Sequence, residues 1–332
     1  MIRKHSNLLI LLIIFVFVFS IMSIMTPDKF LGLSSFQSMG YQIPEFGLLS
    51  LAMFFTIVAG GINLSTVGTA GLSGVVASLI LTNLANTDKG SENVIFWVII
   101  AIIVAIFVSL FCGLLNGVLV GVIGVSPILA TLGTQTLFHG LALRIAGGRA
   151  GGISGFPDQF LWIGNSKVLQ IPFPFIIFVV VLIVLLILIK TPYGFSIYIV
   201  GSNPVASRVT GINNKIVLIK TYLLSGLLCG IASIIMITRY NSAKADYGTS
   251  YLLQSILAVI LGGTSIAGGV GTIQGLLVAI LILQVISSGL NIFGASISMY
   301  IVDIVWGLLI ILVMVIQYIL TRRSTRIRPL IK

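Results

Sequence analysis

The sequence predicts an all-α, polytopic transmembrane helix bundle, and three observations carry that prediction. Of 332 residues, 58% are hydrophobic and 8% charged, and the mean hydropathy is +1.20. Soluble domains carry about 25% charged residues, so this chain cannot clothe an aqueous surface. The apolar residues also fall into runs close to the ~20 residues that a helix needs to cross a bilayer. About ten such runs leave only short connections, so residues 1–332 read as one transmembrane domain with nothing sizeable outside the membrane. A soluble enzyme, a secreted disulfide scaffold and a disordered tail protein are excluded.

The first run follows the basic start MIRKHSN and extends over residues 8–25 without a charge. Signal peptides share that basic flank, but no Ala-x-Ala-like site follows, so a retained span is expected. Further runs lie near 40–60, 67–84, 94–123, 127–146, 172–189, 216–239, 252–267, 272–293 and 300–320, which makes ten. The fourth is long enough to require tilt or an overhang. Glycine and polar residues interrupt the second and the eighth. The clusters Gly60-Gly61, Gly262-Gly263 and Gly268-Gly269-x-Gly271 are the marked ones among 36 glycines. Small residues let helices pack closely in lipid. The same residues also suit broken or re-entrant segments, which are tolerated at membrane depth only when buried or lining a cavity. Such segments are expected near Gly60-Gly61 and Gly262-Gly263.

With ten spans the termini share a side. That side would carry Arg3, Lys4, Lys190, Arg208, Lys215, Lys220, Arg322, Arg323, Arg326, Arg328 and Lys332, and no acid. The other would carry Lys29, Lys89, Arg144, Arg149, Lys167, Arg239 and Lys244. Asp28, Asp88, Glu92, Asp158 and Asp246 lie near those bases, with Glu45 and Asp303 at or inside the membrane edge of the same half. The net charge of +11 thus gathers on one face. The positive-inside rule assigns that face to the cytoplasm, giving an N-in, C-in topology and no reason to invoke nucleic acid.

No catalytic constellation is present. The chain lacks a phosphate-cradling G-x-x-x-x-G-K-[ST] loop, and GVGTIQG (269–275) has the wrong spacing for a dinucleotide fingerprint. His139 has no second ligand at a metal-binding spacing, so no metal and no cofactor is expected on this chain. Cys112 and Cys229 lie inside apolar runs and read as small hydrophobes.

Hydroxyl and amide groups stand out instead. Ser126-Pro127 fits an N-cap followed by a first-turn proline. From there Thr131, Thr134, Gln135 and His139 recur at i, i+3, i+4 and i+8, one polar stripe on an apolar helix. The stripe serves either interhelical hydrogen bonding or the lining of a path for a hydroxylated solute. Asn63 in AGGINLS is a buried amide that fits a structural cap or the same path.

Between spans six and seven, residues 191–215 form the one long basic loop. Asn203-Pro204 repeats the cap-and-proline signature, residues 205–210 supply about two turns, and Gly211 fits a left-handed stop. Asn203, Pro204, Val205, Ala206, Ser207, Arg208 and Gly211 thus specify a short capped helix. It would rest on lipid headgroups or project as a docking knob.

Four stretches carry a family resemblance. TPYGFSIYIVGSNPVASRVTGI resembles the cytoplasmic signature loop of permease subunits from ABC importers of the ribose/galactose/xylose type. AGGINLSTVGTAGLSG, GVSPILATLGTQTLFHGLA and ILAVILGGTSIAGGVGTIQG are similar to three further segments of that family, in the same order, and the resemblance covers roughly residues 45–318. It implies a bacterial cell-membrane protein in which the 203–211 helix couples to an ATPase. It also implies the partners: a second permease subunit (identical or a paralogue), two cytoplasmic ATPases or one tandem chain holding ATP and Mg, and an extracytoplasmic binding protein. The cargo implied is a pentose or hexose, with a nucleoside or a furanosyl signalling molecule of the autoinducer-2 type as alternatives. Departures bear on that cargo. Asn63 stands where sugar permeases usually have Asp, Thr66-Val67 replaces Val-Gly, His139 replaces a common Arg, and Val205 replaces a frequent Glu. A secondary transporter would need intramembrane acids, and a membrane lipid transferase would need paired carboxylates or clustered histidines. The sequence supplies neither.

Overall fold

The computed structural model describes residues 2–25, 27–85, 93–148, 152–293, 304–313 and Val315. The helices, in chain order, are α1 (Ile2–Met25), α2 (Pro27–Phe30), α3 (Leu33–Val58), α4 (Thr66–Ile80), α5 (Asn93–Val118), α6 (Pro127–Ile145) and α7 (Asp158–Asn165). There follow α8 (Phe173–Ile189), α9 (Pro192–Ser202), α10 (Pro204–Val209), α11 (Asn214–Tyr240), α12 (Thr249–Leu261), α13 (Ile273–Phe293) and α14 (Ile304–Val313). The strands are two-residue ribbons: Ile153–Ser154 pairs antiparallel with Ser242–Ala243, and Lys167–Val168 with Ile171–Pro172.

Among the described residues six helices are long and apolar enough to cross a membrane, and α8 with α9, bent by 72°, makes a seventh if the pair counts as one span. The ten-run expectation departs from this at three places. α6 has the length, 19 residues, but its polar stripe dilutes its hydropathy. α12 has 13 residues, roughly 20 Å of helix against a hydrocarbon core of about 30 Å. The tenth run is described only over α14. Asp303 and the basic residues Arg322, Arg323, Arg326, Arg328 and Lys332 lie outside the described residues, as do Asp88, Lys89, Glu92 and Arg149.

α3 and α11 form the centre. The apolar window of α3 is 89% buried, that of α1 only 6%. α3 is thus wrapped by protein on all sides, while α1 lies at the rim against α13. Glycines set the spacing on the α11 side. Gly113 and Gly117 of α5 lie against the α11 backbone at Tyr222 and Ile219, and Gly226 of α11 lies against the Ser109 carbonyl, where a Cβ would collide. Small residues at a crossing are the expected device for close helix contact in lipid. Cys112 and Cys229 are free and buried at this packing layer.

Contacts give the helix directions. Glu45 of α3 pairs with Arg239 near the end of α11, at 2.9 Å, so α3 runs antiparallel to α11. Asn63 meets Ser225 and the Ala70 carbonyl meets Ser233, so α4 runs back parallel to α11. The Gly60-Gly61 break is therefore the buried reversal between α3 and α4 rather than an interruption within one span. It lies well inside the bundle. From Asn214 to Ser225, the α11 residue facing Asn63, is roughly 16 Å along the helix.

The second break falls at Gly262-Gly263, so the run 252–267 is not one span: α12 stops at Leu261, and residues 262–272 are irregular up to α13. The loop expected over 191–215 likewise begins with an eleven-residue helix, α9. Thr191 caps it by accepting a hydrogen bond from the Gly194 N–H, and Pro192 takes the first turn.

Candidate translocation and coupling site

The first break is held by side chains from four elements. Asn63 is its centre: its Oδ1 accepts from the Ser65 N–H (3.1 Å) and hydroxyl (2.7 Å), and its Nδ2 donates to Ser225 Oγ (3.0 Å). The Asn116 amide on α5 donates to Ser65 Oγ at 2.7 Å, and Thr134 donates to Asn116 Oδ1 at 2.6 Å. Thr131 accepts from the Leu64 N–H at 3.0 Å, and its own proton lies between the Ile62 (3.0 Å) and Pro127 (2.7 Å) carbonyls. Gln135 Oε1 accepts from the Gly68 N–H at 2.7 Å. A chain reversing inside a bundle exposes backbone donors that no helix satisfies, and buried polar groups require partners. Most of the polar stripe supplies them.

The four stripe residues thus separate. Thr131 and Thr134 are buried in the network, Gln135 is half-buried, and His139 reaches Asp246 at 2.7 Å on the surface. Ser126 precedes α6 without a side-chain cap bond; Pro127 alone carries the predicted start. Ser65, Asn116 and Ser225 were not singled out in the sequence. Asn116 had a signal, a lone amide in an otherwise apolar helix, but its partners are distant in the chain.

The second break is held by backbone. The Gly269 N–H donates to the Val58 carbonyl at 2.9 Å, and the Tyr198 hydroxyl of α9 donates to the Gly271 carbonyl at 3.0 Å. Gly268 lies against Gly60 and Gly201, and a Cβ on Gly201 would overlap the Val58 carbonyl. Gly60, Gly201, Gly268 and Gly269 therefore bring both breaks and the end of α9 into backbone contact at one junction. Gly61 packs on Pro127 and Tyr222, Gly262 on the Leu276 backbone, and Gly271 on Thr264 and Phe54, while Gly263 faces open space.

α10 leaves directly from this junction. Asn203 Oδ1 accepts from the Val205 and Ala206 N–H groups, both at 3.0 Å. Gly211, at φ +81°, ends the turn, with its N–H on the Arg208 carbonyl at 3.0 Å and the Ile212 N–H on Ser207 at 3.1 Å. Ser207 is the buried member: it donates to Asn214 Oδ1 at 2.7 Å, and Asn214 Nδ2 donates to the Pro204 carbonyl at 2.8 Å, fixing the helix to the start of α11. Val205 and Val209 point outward, 73% and 85% exposed, beside exposed Pro204, Ala206 and Arg208. α10 is thus a short helix rooted by Ser207 and Asn214 that exposes two valines.

At the far end of the bundle, Glu45, fully buried, receives the Arg239 guanidinium and the hydroxyls of Tyr251 (3.2 Å) and Tyr240 (3.4 Å), joining α3, α11 and α12. Chemically, the first break offers hydroxyls and amides that neither gain nor lose charge near neutrality. Among the described residues no group of three or more His, Cys, Asp or Glu could hold a metal ion.

The family model described as branched-chain amino acid transport system / permease component matches residues 37–314. The chain belongs to that permease family. Its relatives include the ribose import permease protein of Bacillus subtilis, 36% identical over 278 residues, 83% of this chain and 82% of the relative. The autoinducer 2 import system permease protein of Yersinia enterocolitica is 34% identical over 253 residues, 75% of this chain and 73% of the relative. That of Photorhabdus temperata is 32% identical over the same length. No solved structure matches. The chain is thus a permease subunit of an ABC importer, a multi-pass protein of the bacterial cell membrane and a transporter subunit rather than an enzyme. Its family works with ATPase and solute-binding partners, and the permease subunits themselves carry no cofactor.

Proposed function

We propose that this permease imports a small neutral hydroxylated solute, a ribose-like pentose or hexose, and that α10 is the element through which ATP-driven motion reaches the path. The observation that carries the cargo reading is the 36% identity to a ribose import permease over 83% of the chain. The uncharged hydroxyl-and-amide network around Asn63 supports it. Gln135 and His139, the half-buried end of the stripe, are the members that meet the solute; Thr131, Thr134 and Asn63 form the wall behind them. The autoinducer 2 import permeases at 34% and 32% identity favour a second reading, a furanosyl signalling molecule.

Residues 1–332 act as one permease domain of ten spans, N-in and C-in. It works in a pair with an identical or paralogous subunit, beside two ATPases or one tandem chain that hold ATP and Mg. The orientation is supported by the described ion pairs, Glu45–Arg239 and His139–Asp246, which both fall in the half assigned outside. Arg208 and Lys215 stand at the opposite end of α11. Closure of the ATPases displaces α10, and the glycine junction passes the displacement to both breaks. The test is reconstitution with the genetically neighbouring ATPase and binding protein. Ribose should stimulate ATP hydrolysis and enter the vesicles. Stimulation by the autoinducer and not by ribose transfers the cargo to the second reading, and a neighbourhood without an ATPase or binding protein sinks both.

A further inference from the structure

Beneath α10 lies a cavity of about 280 Å³, bounded by the Gly60-Gly61 break, the π-helical turn Leu119–Ile123 that follows α5, the start of α6 and the first three turns of α11. Three features of its lining point to one ligand chemistry. Arg208 and Lys215 both line it, no Asp or Glu does, and neither cation makes an ion pair among the described residues. Tyr222 also lines it. That side chain is 1% exposed and its hydroxyl has no hydrogen-bond partner. Buried polar groups rarely go unpaired. The hydroxyl packs on Gly61 and Pro127, both of which line the cavity: a Cβ built on Gly61 would stand 2.9 Å from it. Apart from Asn214, whose amide is engaged by Ser207 and the Pro204 carbonyl, the remaining side chains of the wall are apolar, with Val120, Val122 and Leu218 among them.

We propose that this cavity binds a phosphate group, with Arg208 and Lys215 supplying the charge and the Tyr222 hydroxyl an inner hydrogen bond. Two cations and a desolvated donor suit an anion with several acceptor oxygens. A neutral sugar would leave both cations uncompensated. The apolar wall favours a phosphate tethered to hydrocarbon, as in a phospholipid headgroup, over the free ion. The occupant would brace α10 against α11 through the wall that Arg208 contributes. The site itself is independent of the transport reading; only the consequence of bracing for ATPase coupling rests on it.

The test uses the purified full-length chain in neutral detergent, without ATPase. Unfolding is followed with a thiol-reactive dye, because Cys112 and Cys229 are free and buried in the folded state. Dioleoylphosphatidylglycerol, dioleoylphosphatidylcholine and inorganic phosphate are titrated in turn. Phosphatidylglycerol is expected to raise the melting temperature saturably by about 2–5 °C, and phosphatidylcholine by less. A shift with inorganic phosphate alone would make the free ion the occupant and retain the site. R208Q/K215Q should weaken the apparent affinity about tenfold and Y222F several-fold. K220Q, a basic residue of α11 outside the lining, should leave it unchanged. Where the double variant does not fold, R208Q and Y222F singly are compared with K220Q. No shift with any probe, or an equal loss in K220Q, overturns the proposal, the latter because diffuse surface charge would then explain the effect.

Discussion

The two breaks lie side by side yet are held by opposite means. Around residues 59–65 the side chains of Asn63 and Thr131 bond the reversing backbone, and Ser65, Asn116, Thr134 and Ser225 hold them in one side-chain network. Around residues 262–272 the backbone is satisfied mostly by other backbone, and the contact surface is glycine. A side-chain network fixes geometry through several directional bonds, each costing roughly 1–3 kcal/mol to leave unmade. The glycine surface has one hydrogen bond to the neighbouring break, from Gly269 to Val58, and one to α9, from the Tyr198 hydroxyl to the Gly271 carbonyl; the rest is van der Waals contact. The first break is a directional side-chain wall and the second a close-packed glycine face against the arm that carries α10.

The largest effect is expected at the glycine face. Gly201→Val places a Cβ where the Val58 carbonyl already stands, with Gly269 N only 2.9 Å away. Overpacking against backbone cannot relax by a rotamer change, and a cost of about 3 kcal/mol or more is expected. Gly263→Ala is the matched control. Its Cβ meets nothing within 4 Å, but φ is +83°, so only the left-handed backbone penalises it, by about 1–2 kcal/mol. Melting followed through the buried thiols should separate the two clearly. Equal losses would mean that the junction is not a close-packed surface.

At the side-chain wall, Asn63→Leu strips the acceptor from Ser65 and the donor from Ser225, and roughly 2–4 kcal/mol should be lost. Asn63→Asp keeps an acceptor for both Ser65 donors, and the Ser225 hydroxyl can turn to donate. It should therefore cost less than Asn63→Leu, although it buries a carboxylate. Measuring the pair distinguishes a network held by hydrogen bonds from a site held by shape. The same loss in both would favour shape.

How far the sequence reached follows the same division. Gly60-Gly61, Gly262-Gly263, Asn203-Pro204 and Gly211 were legible because capping, turn reversal and left-handed backbone are local properties. α9 was missed although Thr191-Pro192 carries the same signature as Asn203-Pro204. Its position directly after an apolar run hid it as the start of a loop. The partners in the wall were not legible: Asn63 and Ser225 are 162 residues apart, and His139 and Asp246 are 107 apart. No local rule pairs residues at such separations. The polar stripe is legible as a spacing, but the spacing cannot reveal that Thr131 and Thr134 face the α3–α4 reversal.

Asn203→Ala should have a smaller effect on stability than either break, about 1 kcal/mol, because it removes only the cap bonds to Val205 and Ala206. Its effect on transport should be disproportionate. A frayed α10 still sits on Asn214 through Ser207 but no longer presents Val205 in a fixed place. Solute-stimulated ATP hydrolysis should fall several-fold while membrane insertion is unchanged, and an unaltered rate would remove α10 from the coupling route.

The smallest stability effect is expected from His139→Gln. The contact with Asp246 is at the surface, with Asp246 70% exposed, and such pairs contribute about 0–1 kcal/mol. That smallness makes the position useful. Thr134→Val would disturb the wall, since Asn116 Oδ1 loses its donor, so a transport defect there could arise from packing alone. At His139 packing cannot be the cause if melting is unchanged. A shift in the solute concentration giving half-maximal transport would then place this end of α6 against the passing solute. Unchanged transport would assign the whole stripe to the wall, and the path would have to run along another face.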